Sequence, residues 1–151
     1  MTSIADNLQA VQNRIQQACQ TAGRPLGSVR LLAVSKTFPA DDVREAHAAG
    51  QVAFGENYIQ EGVDKVLALR GLGLEWHCIG PIQSNKTRLV AEHFDWVHSV
   101  DRFKIAQRLS DQRPHHLPPL QVCLQVNTDG GVTKSGAQPG EVLALAHAVA
   151  A

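Results

Sequence analysis

Cysteine is scarce in this chain: Cys19, Cys78 and Cys123 are widely spaced, with no C-x-x-C pair. An odd, scattered set of this kind excludes a disulfide framework and points to the cytosol. Charge of one sign is also lacking, since fourteen basic residues balance fourteen acidic ones. No basic stripe interleaved with aromatics is present, so nucleic acid is not an expected partner. Nor is a membrane, because no run of about 18 apolar residues occurs. Met1-Thr2-Ser3-Ile4-Ala5-Asp6 has neither a positive n-region nor an apolar h-region, so it does not read as a secretory signal. No G-x-G-x-x-G follows a strand pattern, and Gly71-Leu72-Gly73 is too short a match. No serine sits in a G-x-S-x-G elbow, and no histidine–carboxylate spacing suggests zinc.

What is present is an alternation of strand and helix patterns. Ile4, Leu8, Val11, Ile15 and Ala18 recur at helical spacing behind Ser3, a plausible N-cap, and Gly23-Arg24-Pro25 ends the segment. Strands are expected near 30–35, 52–55, 75–79, 96–99 and 120–126, the last being the clearest. Helices are expected near 40–49, 58–70, 84–93, 101–110 and from about 139. In the 58–70 helix, Ile59, Val63, Val66 and Leu67 form the apolar stripe. Ser84 and Asp101 are candidate helix caps, and Cys78 and Cys123 read as small core residues. Alternation of this kind implies an α/β fold with a parallel sheet, and the missing dinucleotide fingerprint favours a (β/α) TIM-type barrel. A closed barrel takes eight strands and typically about 250 residues. This chain, with 151 residues, is therefore expected to hold five of the eight strand–helix units in one domain and to be cut short. Open strand edges would then invite self-association or low stability.

Lys36 is the most informative residue. It ends the apolar run Leu31-Leu32-Ala33-Val34-Ser35 and precedes Thr37-Phe38-Pro39. A strand-end lysine can simply reach water. If it is buried instead, desolvation favours the neutral amine, which attacks aldehydes. Lys36 shares parity with Leu32 and Val34, so the three should leave one face of the strand. The other strand ends are also polar: Gly55-Glu56-Asn57-Tyr58, Gly80-Pro81 with Ser84-Asn85-Lys86, His98-Ser99, and Asn127-Thr128. In a (β/α) barrel these ends form one rim, where active sites sit. Each has a structural alternative. Asn57, Ser84 and Asn85 are good helix caps, and His77 and His98 suit hydrogen-bonded core positions.

Taken in order, Leu32-Ala33-Val34-Ser35-Lys36-Thr37, Phe54-Gly55-Glu56-Asn57-Tyr58-Ile59-Gln60-Glu61, Trp76 through Lys86, Val97-His98-Ser99-Val100-Asp101, Val126-Asn127 and Lys134-Ser135-Gly136 resemble the pyridoxal phosphate homeostasis proteins. The resemblance implies a fold like the N-terminal barrel of alanine racemase. It implies a cytosolic protein, monomeric at full length, that binds pyridoxal 5'-phosphate as an aldimine on Lys36 and passes it to apo-enzymes without catalytic turnover. It makes Asn57, Ser84, Asn85, Asn127 and Lys134 candidate cofactor contacts. Two departures stand out. Gly131 occupies a position where the family often has Glu. The family also runs on through three further strands, which carry a Ser-Gly-Ser-type phosphate cradle and an arginine near the pyridine nitrogen.

Two enzymatic readings compete with this one. An amino-acid racemase needs a second acid/base, and the one tyrosine, Tyr58, lies at a strand end with no second domain. A cofactor-free Schiff-base aldolase needs a general acid, for which Glu56 is the nearest candidate in sequence.

Overall fold

The computed structural model describes residues 2–151. Its centre is a five-stranded, wholly parallel sheet whose spatial order follows the chain, β1-β2-β3-β4-β5. The strands are β1 (Ala33–Val34), β2 (Ala53–Glu56), β3 (Glu75–Cys78), β4 (Trp96–Val100) and β5 (Gln121–Leu124). The helices are α1 (Ile4–Thr21), α2 (Ala40–Ala48), α3 (Ile59–Ala68), α4 (Thr87–His93), α5 (Phe103–Gln112) and α6 (Val142–Ala150). Each strand pairs with the next in sequence, and crossovers between parallel strands are right-handed, so the connecting helices share one face. The opposite face is left to the strand residues of the other parity.

The core lies between sheet and helices. Phe54, Trp76, Cys78 and Val97 from the strands meet Val43 and Ala46 of α2, Val63 of α3, Val90 and Ala91 of α4, and Ile105 and Leu109 of α5. Four consecutive buried residues in β2 are the signature of a strand covered on both faces. The β4–β5 register shifts between Val97 and Val100, and Val100 is fully buried.

The structure adjusts several expectations. β1 is two residues long instead of six, and the chain turns directly after it, where Phe38 N donates to Ser35 O. β5 is four residues, shorter than the apolar run that announced it. Ser3 does cap α1, through a reciprocal capping box with Asp6. The buried line of α1 ends at Cys19, not at the exposed Ala18. Leu67, assigned to the apolar stripe of α3, is exposed. Ser84 opens a single 3-10 turn, Ser84–Lys86, and caps neither that turn nor α4. Asp101 does not cap α5; its carboxylate accepts from the Gly136 N–H at 3.1 Å. Cys78 is fully buried as expected, whereas Cys123 is only partly so.

Candidate functional site

The carboxyl ends of the five strands form one rim, since all ladders are parallel. Lys36 stands on it, two residues beyond the end of β1. Its side chain is exposed, so the burial considered above is not found. Val34, on the same side, is also 48% exposed. A Cβ built on Gly55 would meet Leu32 Cδ2 at 3.4 Å and Ile79 Cδ1 at 3.3 Å, so Leu32 and Ile79 lie together on one face of the sheet. By alternation Val34 leaves on that face too. The apolar floor beneath Lys36 is therefore present, but open.

Ser35, on the opposite side, is buried and faces the helices. Its hydroxyl donates to Glu56 Oε2 in a very short contact, and its N–H donates to Gly55 O at 2.9 Å. Ser35 O accepts from Phe38 N at 3.1 Å, closing a β-turn with Lys36 and Thr37 at its centre. Thr37 has φ +68°, the only positive φ outside glycine among the described residues. A positive φ at that position is the type II requirement, normally met by Gly or Asn. A β-branched residue there is an outlier.

Beneath the turn lies an ionic cluster. Lys65 Nζ reaches Ser35 O at 2.7 Å, Glu56 Oε2 at 3.1 Å and Glu61 Oε1 at 2.8 Å. Glu61 Oε1 also accepts from the Thr37 N–H at 2.6 Å. The Lys65 hydrogen bond holds the Glu61 carboxyl below its ordinary value; partial desolvation opposes this, and the Thr37 amide adds to it. Glu56 is fully buried and points to the helical layer. That orientation removes it as a general acid on the Lys36 side, which the aldolase reading needed.

The remaining candidates divide. Asn57 lies on the rim, partly buried, and does not cap α3, whose N-cap is Tyr58. Ser84 and Asn85 lie beyond β3, and neither side chain is spent on a cap. The turn between them and β3 is held tight by Gly80, since a Cβ there would run into the Asn57 carbonyl. Asn127 is different. It is 5% exposed, and its side chain staples the 128–134 loop. Its Nδ2 donates to Gly131 O at 2.9 Å, and its Oδ1 accepts from Gly130 N at 3.0 Å. Lys134 is exposed and pairs with Asp129 at 3.8 Å.

His77 and His98 are hydrogen-bonded strand histidines, as their positions suggested. His77 Nδ1 lies 2.8 Å from His98 Nε2, and His77 Nε2 lies 2.7 Å from Glu75 Oε1. A carboxylate only accepts, so His77 Nε2 carries the proton, and in neutral His77 the Nδ1 accepts from His98. Desolvation, and then the neighbouring His77, push the His98 pKa down. Burial would raise the Glu75 carboxyl, but the His77 hydrogen bond and the Arg30 charge outweigh it and hold the group low.

Sequence reasoning missed Lys65 and Glu61, and it gave Glu56 a different role. Two signals were available: a carboxylate closing a buried strand, and a lysine among the buried positions of α3, each of which needs a partner.

A wholly parallel five-stranded (β/α) sheet, with an exposed lysine at the carboxyl end of its first strand, defines a barrel-type α/β fold. The family model for the alanine racemase N-terminal domain matches residues 7–151, and the chain belongs to that family. It is 63% identical over 149 residues to a pyridoxal phosphate homeostasis protein of Pseudomonas aeruginosa, covering 99% of this chain and 65% of the relative. A Vibrio cholerae protein of the same name is 56% identical over 153 residues, covering 99% and 65%. The chain thus spans about 65% of the length of these curated relatives. Among solved structures, PipY of Synechococcus elongatus PCC7942 with PLP bound superposes with a TM-score of 0.71 at 42% identity, covering 85% of this chain and 59% of that one. Among the described residues, no helix is long and apolar enough to cross a membrane.

Proposed function

We propose that this chain carries the attachment half of a pyridoxal 5'-phosphate site, in a cytoplasmic protein that holds and passes on the cofactor without catalytic turnover. The observation that carries the reading is Lys36: an exposed primary amine on the rim of a parallel sheet, within a turn held from below by α3. The residues present fit the group on that side. An exposed amine over the Leu32–Val34 face suits an aldehyde on a flat aromatic ring. When bound, pyridoxal phosphate supplies an aldehyde carbon that condenses with a primary amine and releases water. Lys36 supplies the nitrogen. Asn57, Ser84 and Asn85 supply polar groups from the neighbouring strand ends that no helix cap consumes. Lys134 adds a cation from the loop after β5, and Asn127 fixes that loop. The names of the relatives and the cofactor in PipY support the same assignment. The partners are apo-enzymes that accept the cofactor, and the full-length form is a monomer.

Borohydride trapping tests it. Full-length protein incubated with pyridoxal phosphate, reduced and mapped by peptide mass should carry one pyridoxyl group, on Lys36. Lys36→Ala should abolish it. An adduct on another side chain of the wild type, or none, overturns the reading.

A further inference from the structure

We propose that Lys65 and Glu61 are positioning residues that hold the Ser35–Phe38 turn in its strained form and so aim the Lys36 amine; this deepens the reading of Lys36 as the attachment residue and rests on it. The turn is gripped at two points by side chains of one helix. Lys65 of α3 donates to the turn's first carbonyl, Ser35 O, at 2.7 Å, and Glu61, one helical turn earlier, accepts from the turn's third amide, Thr37 N, at 2.6 Å. The two grips are joined by the Lys65–Glu61 pair at 2.8 Å. Lys65 is fixed in turn by Glu56, which also receives the Ser35 hydroxyl.

Two further observations mark the arrangement as built. Thr37 occupies a positive φ that costs a non-glycine residue free energy and persists only where the surroundings impose it. Its hydroxyl donates back to Lys36 O at 2.5 Å. Gly62, between the two gripping residues, lets α3 approach β2: a Cβ there would meet Phe94 Cζ at 2.7 Å and Glu56 Cβ at 3.1 Å. A larger residue would lift the helix away from the turn.

Lys36 is therefore flanked by two backbone groups whose positions α3 dictates. Ser35 is pinned toward the helices, and Lys36, the first central residue of the turn, is left exposed on the rim. Loss of the Glu61 grip should let Thr37 relax to a negative φ, swinging the Lys36 Cα–Cβ direction off the rim. A positional error of this kind slows a reaction that needs orientation, while leaving the amine chemically competent.

The experiment uses full-length protein and four variants: Glu61→Ala, Glu61→Ala with Thr37→Gly, Thr37→Gly alone, and Asp64→Asn. Asp64 is an exposed carboxylate of the same helix outside the cluster, and its loss controls for charge. The readouts are the rate of pyridoxyl capture at Lys36, reductive methylation of Lys36 by formaldehyde relative to exposed Lys104, and amide hydrogen exchange at Thr37. Glu61→Ala should slow capture by about tenfold, the factor that loss of a well-oriented geometry readily costs. It should leave the Lys36 to Lys104 methylation ratio within about twofold, because formaldehyde needs no orientation, and it should deprotect the Thr37 amide. Adding Thr37→Gly should restore most of the capture rate, because glycine adopts a positive φ without the grip. Asp64→Asn should behave as wild type, and Thr37→Gly alone should capture within about twofold of the double variant, because glycine holds the positive φ with or without the Glu61 grip.

Wild-type capture in Glu61→Ala, or no rescue by glycine, overturns the clamp. If the wild type takes no pyridoxyl group on Lys36, the proposed function fails, and Thr37 exchange then decides the clamp alone. Fast exchange in the wild type refutes it, and protection lost only with Glu61 upholds it.

Discussion

Lys65→Met is the most demanding test of the structure. Lys65 is 7% exposed, and its partner Glu56 is fully buried. The substitution keeps the volume and removes the ammonium, leaving Glu56 with only the Ser35 hydroxyl and Glu61 without its cation. Breaking a buried pair by deleting one partner costs about 3–5 kcal/mol, because the remaining charge stays desolvated. For a protein of this size each kcal/mol moves the midpoint by about 2–4 °C, so Tm should fall by roughly 6–20 °C. Urea denaturation should report the same loss, with an unchanged slope. The cost arises from the orphaned carboxylate. The double variant Glu56→Gln with Lys65→Met should therefore be more stable than Lys65→Met alone, by about 1–3 kcal/mol. A single-variant cost below about 1 kcal/mol, the range of an exposed ion pair, would refute the buried network. So would a double variant no better than the single.

Three further outcomes follow from the same geometry. The folded His98 pKa lies below 6.5, so the unfolded chain binds its proton more readily, and stability present above pH 6.5 should be lost as pH falls through that value toward the folded one. His98→Asn should flatten this limb in denaturation measured across the pH range, and an unchanged slope would remove the histidine pair as its source. Gly80→Ala should cost about 1–3 kcal/mol in unfolding experiments, since its Cβ meets the Asn57 backbone and not a flexible side chain; a neutral effect would mean the two strand ends are not in contact. A thiol reagent should label Cys123 before Cys78 in native protein, because Cys78 is fully buried and burial pushes its thiol up to about 11, against a hydrogen bond from Gly80. Peptide mapping after partial labelling would expose the reverse order.

The order and kind of the elements were legible in the chain before folding, because strand alternation, helical spacing and caps such as Ser3 are local properties of neighbouring residues. The sequence also put Lys36 at the carboxyl end of the first strand, although β1 stops at Val34 and Lys36 sits in the turn that follows, and the run of motifs around Lys36, Asn57 and Asn85 carried the family. The length of β1 was not legible, since the Ser35–Phe38 turn that ends it is held by side chains of α3. Nor was the work of Asn127, whose amide is consumed by a loop that only the folded chain brings back to it. The cluster beneath the turn belonged entirely to the tertiary structure. Ser35, Glu56 and Lys65 are far apart in the chain, and their meeting depends on the β1–β2 register and on α3 docking closely through Gly62. Local periodicity says which side of an element is apolar. It does not say which buried charge on one element will face which on the next, because that is decided by how the layers pack.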